Sequence, residues 1–275
     1  MGKKPLLGIL LFFLALSISA QSGLKIIVEE NDGKLTVIRS QGKTRELIIP
    51  GTINDMPVTG IGEGAFTRKG LNMVTIPDSV TEIGEGAFSY NELTTLVIGN
   101  SVETIGRQAF SNNKLKDLTL GTGVKSIGMG AFADNRLVNV TLPESVTSIE
   151  PYAFFYNRLA ELQIPNNVTA IGEGAFSNNR IYSVTIGSGV EVIGDGAFFN
   201  NRLTSIVVPG SVKAIGKRVF ESRITKRGSV PPVDYLDENG EVIYTTANNF
   251  DTYFVSTGKR AGKYTYSRDG WAFEE

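Results

Sequence analysis

Apolar positions return along this chain every 22 residues, and the phenylalanines mark the beat: Phe66, Phe88, Phe110, Phe132, Phe154, Phe176, Phe198 and Phe220. Around each of them the same inward set recurs, as in Val102, Ile105, Ala109, Leu115, Leu118 and Leu120, or Val168, Ile171, Ala175, Ile181, Val184 and Ile186. A lone unit of this length cannot enclose its own apolar face, so each must cover its neighbours. The pattern therefore predicts a stack of coils with one continuous core.

Within a coil, segments such as 203–208 alternate, with Ile206 and Val208 inward and Ser205 and Val207 outward, which predicts a strand. Pro or Gly ends each of them, at Pro77, Gly99, Gly121, Pro143, Pro165, Gly187 and Pro209. Stacking sets these strands side by side at about 4.8 Å in a parallel sheet. The outward column Thr75, Val97, Thr119, Thr141, Gln163, Thr185 and Val207 is mostly β-branched and suits such a sheet. A second short extended piece, Val-x-x-Ile, follows. The next motif, Gly-x-Gly-Ala-Phe, predicts a tight turn entering a short helical or 3₁₀ stretch. An Asn then recurs at 91, 113, 135, 157, 179 and 201, placed to bond the backbone of an adjacent coil.

The ends differ from the array. Residues 24–49 alternate apolar and polar around Asn31-Asp32-Gly33 and predict a β-hairpin that caps the first coil. After Phe220 the repeat decays, 228–233 reads as a linker, and two hairpins are expected, one turning at 237–240 and one at Asp269-Gly270. The expected division is a leader at 1–20, a cap and entry at 21–57, a solenoid of 22-residue coils at 58–227, and a linker with a small aromatic β module at 228–275.

Composition mainly excludes. Lys3 and Lys4, an apolar run at 6–18 and the small residues Ser17, Ser19 and Ala20 form a secretory signal, with cleavage expected near Ala20. No later segment is apolar enough to cross a bilayer, so the mature chain is expected to be exported, to the cell surface or the medium. The absence of cysteine and histidine removes thiol nucleophiles, disulfides, Cys/His zinc sites and Ser-His-Asp triads. A net charge of −1 singles out no partner and, with export, argues against nucleic acid.

The run Pro-x-Ser-Val-Thr-x-Ile-Gly-x-x-Ala-Phe at 77–88 returns at 143–154 with Glu150 in place of the glycine. A longer entry, Ile-Pro-Gly-Thr-Ile-Asn-Asp-Met-Pro-Val-Thr, stands at 49–59. Together they resemble the BspA-like class of leucine-rich repeats over about residues 45–220. The resemblance implies an α/β repeat solenoid that is curved, with a parallel sheet on its concave face, short extended and helical or 3₁₀ segments opposite, and β caps at both ends. It also implies a bacterial surface or secreted protein, some relatives being adhesins for host matrix proteins.

Two columns are candidate ligand-binding surfaces. Lys114, Arg136, Arg158, Arg180 and Arg202, preceded by Glu92, would stand in a row roughly 5 Å apart. Such a row either is a solvated ridge whose stems cover the Asn turn or takes an extended anionic partner. The column Thr95, Asp117, Asn139, Glu161, Ser183 and Ser205, with Met73 at its start, is expected on the concave face, small and polar. Paired carboxylates on adjacent coils, Glu63 with Glu85 and Glu173 with Asp195, would sit at a glycosidase-like separation of about 5 Å. Their glycine-rich setting suggests no pocket, and an acid opening a short helical turn is the ordinary explanation. The repeated Gly-x-Gly is not a phosphate loop, because it lacks the Lys-Ser/Thr end. Residues 258–263 beside Tyr264, Tyr266 and Trp271 could meet a glycan or serve as packing.

These readings converge on an exported, non-enzymatic binding or adhesion module for protein or anionic glycan ligands, host matrix included, with no cofactor and no metal. The alternatives are a structural envelope or matrix component and a carbohydrate-active enzyme using the paired carboxylates.

Overall fold

The computed structural model describes residues 23–203 and 205–219, with the backbone of 205–207, and further strands at 234–236, 242–245, 263–267 and 270–274. The leader, Phe220, the linker at 228–233 and the loops at 237–240 and 258–262 lie outside the described residues.

Repetition at 22 residues produces a parallel-strand β-solenoid of about eight turns. Its core is the phenylalanine column. Rings from Phe66 to Phe198 are fully buried and stack with centroids 5.1 to 5.5 Å apart, their planes within 10° of parallel. Each such burial stabilises the stack by roughly 1.5–3 kcal/mol. Leu, Ile and Val of every coil close around the rings.

Two walls of the solenoid carry strands. The two-residue strands, such as Thr104–Ile105 and Ser126–Ile127, pair in parallel with a register of one coil. They form an unbroken sheet that starts in β1 (Lys25–Asn31) and β2 (Lys34–Gln41), an antiparallel hairpin, and passes through the strand Met56–Ile61 to Ala214–Ile215. The hairpin thus extends the sheet and covers the first coil. The opposite wall, expected as one parallel sheet, is divided: Glu46–Ile48 through Thr95–Ile98, then Asp117–Thr119 with Asn139–Thr141, then Glu161–Gln163 onward. That last section continues from Ser205–Val207 into Asp234–Leu236, which pairs antiparallel with Val242–Thr245. Lys263–Ser267 and Gly270–Glu274 form a separate antiparallel pair.

The helical or 3₁₀ stretch expected after Gly-x-Gly does not form; the third wall consists of turns. The hydrogen bonds give the reason. Ala87 and Ser89 N–H groups bond back three residues, to Gly84 and Gly86, but Gly86, Phe88 and Tyr90 donate to Arg107, Ala109 and Ser111 of the next coil. A helix needs every N–H to turn back within its own segment. Left-handed backbone at Gly86 (φ 57°) and Tyr90 (φ 55°) breaks the helical path and aims alternate N–H groups at the neighbour. Gln108 and Tyr152 hold the same left-handed conformation without being glycine.

Candidate ligand-binding surface

The outward columns are positioned by a buried amide ladder. Asn135 accepts the Leu115 N–H through Oδ1 at 3.1 Å, while Nδ2 donates to the carbonyls of Phe110 and Phe132 at 3.0 and 3.2 Å. Asn113, Asn157 and Asn179 repeat this pattern. One side chain thereby satisfies polar groups of two coils where no water reaches. The residue after each Asn is held as well: Arg136 N–H donates to Leu115 O at 3.0 Å, Arg158 to Leu137 O at 2.9 Å and Arg180 to Leu159 O at 3.0 Å.

That next residue is the basic column. Arg136, Arg158, Arg180 and Arg202 are exposed, and among the described residues no carboxylate is within ion-pairing distance of any of them. Lys114 departs from the expected row, because Glu92 one coil earlier pairs with it. Other cations are paired with a carboxylate one coil earlier, as in Lys125 with Glu103 and Lys213 with Glu191, both at 2.9 Å. The four arginines lack that compensation. At a coil spacing of about 5 Å, each neighbouring pair costs roughly 0.8 kcal/mol in water before salt screening.

The polar strand column is exposed at Thr95, Asp117, Asn139, Glu161 and Ser183; the side chain of Ser205 lies outside the described residues. Its members are tied sideways. Asn139 donates to Asp117 at 3.0 Å, and the Tyr182 hydroxyl donates to Glu161. That bond holds the Tyr182 phenol above its ordinary range, with desolvation and the Glu161 charge adding to it. Asp117 and Glu161, which lie three residues beyond Lys114 and Arg158, are therefore occupied by these neighbours.

The paired carboxylates separate into two cases. Glu85 lies 3.8 Å from Arg107 and belongs to surface charge pairing. Glu173 and Asp195, expected in a setting without a pocket, line an open groove. The helix-dipole account of these acids also fails, since the segment is a turn. The groove exists because the repeat is broken locally: Tyr152 stands where Gly64, Gly86, Gly130, Gly174 and Gly196 stand in other coils, and Phe155 and Phe199 where Thr67, Ser89, Ser111 and Ser177 stand. Tyr152 donates its hydroxyl to Glu173, which raises the phenol pKa, with partial burial and the charges of Glu173 and Asp195 adding to it. Sequence reasoning passed over Tyr152, Phe155, Tyr182 and Phe199; their departure from the column consensus was the available signal. Among the described residues, no cluster of three or more acidic side chains is placed to hold a metal ion. No described helix is long and apolar enough to cross a membrane.

This architecture defines a class, the leucine-rich repeat solenoid built from parallel β-coils. The chain belongs to the BspA type leucine-rich repeat family, whose model matches residues 43–159 and 103–226. No curated protein matches it. Among solved structures, it is similar to a leucine-rich cell surface protein of Faecalibacterium prausnitzii A2-165, with 28% identity, 74% of this chain and 73% of that one covered, and a TM-score of 0.46. It is also similar to the pneumococcal vaccine antigen PcpA at 16% identity, with coverage of 74% and 77% and a TM-score of 0.48. A leucine-rich repeat protein of T. pallidum shares 20% identity, with coverage of 73% and 86% and a TM-score of 0.48.

Proposed function

We propose that this protein is an exported, non-catalytic binding module that holds an extended anionic partner, a sulfated glycan or an acidic strip of protein, along the arginine row, and that adhesion to a host matrix or a neighbouring cell is its use. The observation that carries this reading is the row of four like charges on successive coils, Arg136, Arg158, Arg180 and Arg202, none ion-paired among the described residues, where Lys125 and Lys213 each meet a carboxylate one coil earlier. A regularly charged partner relieves the mutual repulsion and gains one charge-assisted contact for each coil it crosses. Export rests on the leader pattern at 1–20 and agrees with a family that is often surface-associated.

The test is binding of the full chain to a panel of matrix proteins and sulfated glycans, beside Arg136→Glu/Arg158→Glu/Arg180→Glu. Unchanged circular dichroism together with loss of saturable binding is the expected result. Binding that survives the triple substitution, or no binding to any member of the panel, would sink the reading.

A further inference from the structure

The groove around Tyr152 carries an inference that the arginine row does not. Its walls are aromatic and come from different coils. On one side Tyr152 and Phe155 meet edge to face with centroids 5.9 Å apart; on the other stands Phe199, with the Arg218 guanidinium 4.8 Å from its ring centre. The coil between them contributes Gly174, over which the Tyr152 ring lies, and the small buried Ser177, which sits between the two phenylalanines along their column. Two coil spacings separate them, roughly 10 Å, a width that admits one six-membered sugar ring.

The fold does not require these aromatics. At the same position Ser89 and Thr67 donate to the Gly86 carbonyl within the turn wall. Phe155 and Phe199 give up that bond and remain half-exposed. The polar groups around the groove cancel in charge, Glu173 and Asp195 against Lys217 and Arg218, so neither a cation nor an anion is favoured. Aromatic walls with a few charged acceptors and donors suit a ligand that has an apolar face and a rim of hydroxyls.

We propose that this groove is a saccharide subsite, taking one pyranose ring of a neutral glycan between the side chains of Phe155 and Phe199. Sugar C–H groups stack on the aromatic faces, and hydroxyls donate to the carboxylate oxygens of Glu173 and Asp195 beyond those that accept the Tyr152 hydroxyl and the Lys217 N–H. The subsite rests on the reading of the chain as a binding module but is independent of the arginine row.

The experiment is saturation-transfer NMR, followed by calorimetric titration, of the full chain with neutral oligosaccharides of glucose, mannose, galactose and N-acetylglucosamine. Heparin and a lysine-rich peptide serve as charged probes. Phe155→Ser/Phe199→Ser is the main variant; it restores the serine that Ser89, Ser111 and Ser177 place at this position, and an unchanged circular dichroism spectrum and urea midpoint are required of it. Saturable binding of at least one neutral oligosaccharide, weakened about tenfold or more in this variant and unchanged in Arg136→Glu/Arg158→Glu/Arg180→Glu, is expected. Overturning results are no neutral saccharide bound, equal binding by the serine variant, or binding of the lysine-rich peptide alone at this groove. Heparin binding lost only in the arginine variant tests the row separately, so either site can fail while the other stands.

Discussion

The coil around Phe110 and the coil around Phe154 are nearly identical inside and unlike outside. Both bury Ala, Phe, Asn and Leu at the same four positions: Ala109, Phe110, Asn113 and Leu115 in one, Ala153, Phe154, Asn157 and Leu159 in the other. Outside, Arg107, Gln108 and Asn112 of the first become Pro151, Tyr152 and Tyr156 of the second, and the buried Ser111 is replaced by the half-exposed Phe155. Translation by one coil explains the identity, because each ring and each amide must match the copy stacked on it. Nothing in the stack constrains the outer residues in that way, so chemistry specific to one place can be written there at little cost to the fold.

The comparison can be broken most severely from inside. Phe132→Ala opens a cavity between two stacked rings and is expected to cost about 3–5 kcal/mol, read as a lowered urea midpoint by circular dichroism. Next is Asn135→Ala, which strands the Leu115 N–H, while the carbonyls of Phe110 and Phe132 each lose one of two amide donors and keep Asn113 and Asn157. About 1–3 kcal/mol for the N–H left unpaired is expected, with early amide exchange in both flanking coils. Outer changes should be far milder. Phe155→Ser is expected to shift stability by less than about 1 kcal/mol, and a loss as large as that of Phe132→Ala would show that the outer ring belongs to the core.

Smallest of all is Asp134→Asn. Asp134 is exposed, and the partial desolvation of its carboxyl raises its pKa above the ordinary value, so the ionised form is somewhat disfavoured in the folded chain. A folded pKa above the unfolded one destabilises the native state once pH exceeds the carboxylate range and has no effect well below it. The amide, which Asn112, Asn178 and Asn200 already place at this position, should gain no more than ~0.5 kcal/mol at neutral pH after solvent screening. That gain should vanish as pH falls through the carboxylate range; a gain independent of pH would contradict the cause.

The legibility of the chain follows the same division. The coil length, inward set and Asn ladder could be read directly, because translational stacking forces one residue type to recur at each buried position. The turn wall could not. Gly-x-Gly-Ala-Phe spells a local turn and looks helical, yet the partners of the Gly86, Phe88 and Tyr90 N–H groups sit 21 residues further on, beyond any local pattern. The arginine row was legible as a column, while the pairing of Lys114 with Glu92 depended on which neighbours carry opposite charge. The groove was hidden because Phe155 and Phe199 belong to separate coils, and a search for recurrence discards departures from it.

The central claim is that the outer arginine column holds an extended anionic partner while the inner columns hold the fold. Its most direct test is the affinity of the full chain for heparin over a salt series, beside Arg136→Glu/Arg158→Glu/Arg180→Glu. The account expects affinity to fall steeply with rising salt, and a shallower dependence in the variant with its urea midpoint unchanged. Equal affinity and equal salt dependence in the two proteins would contradict it.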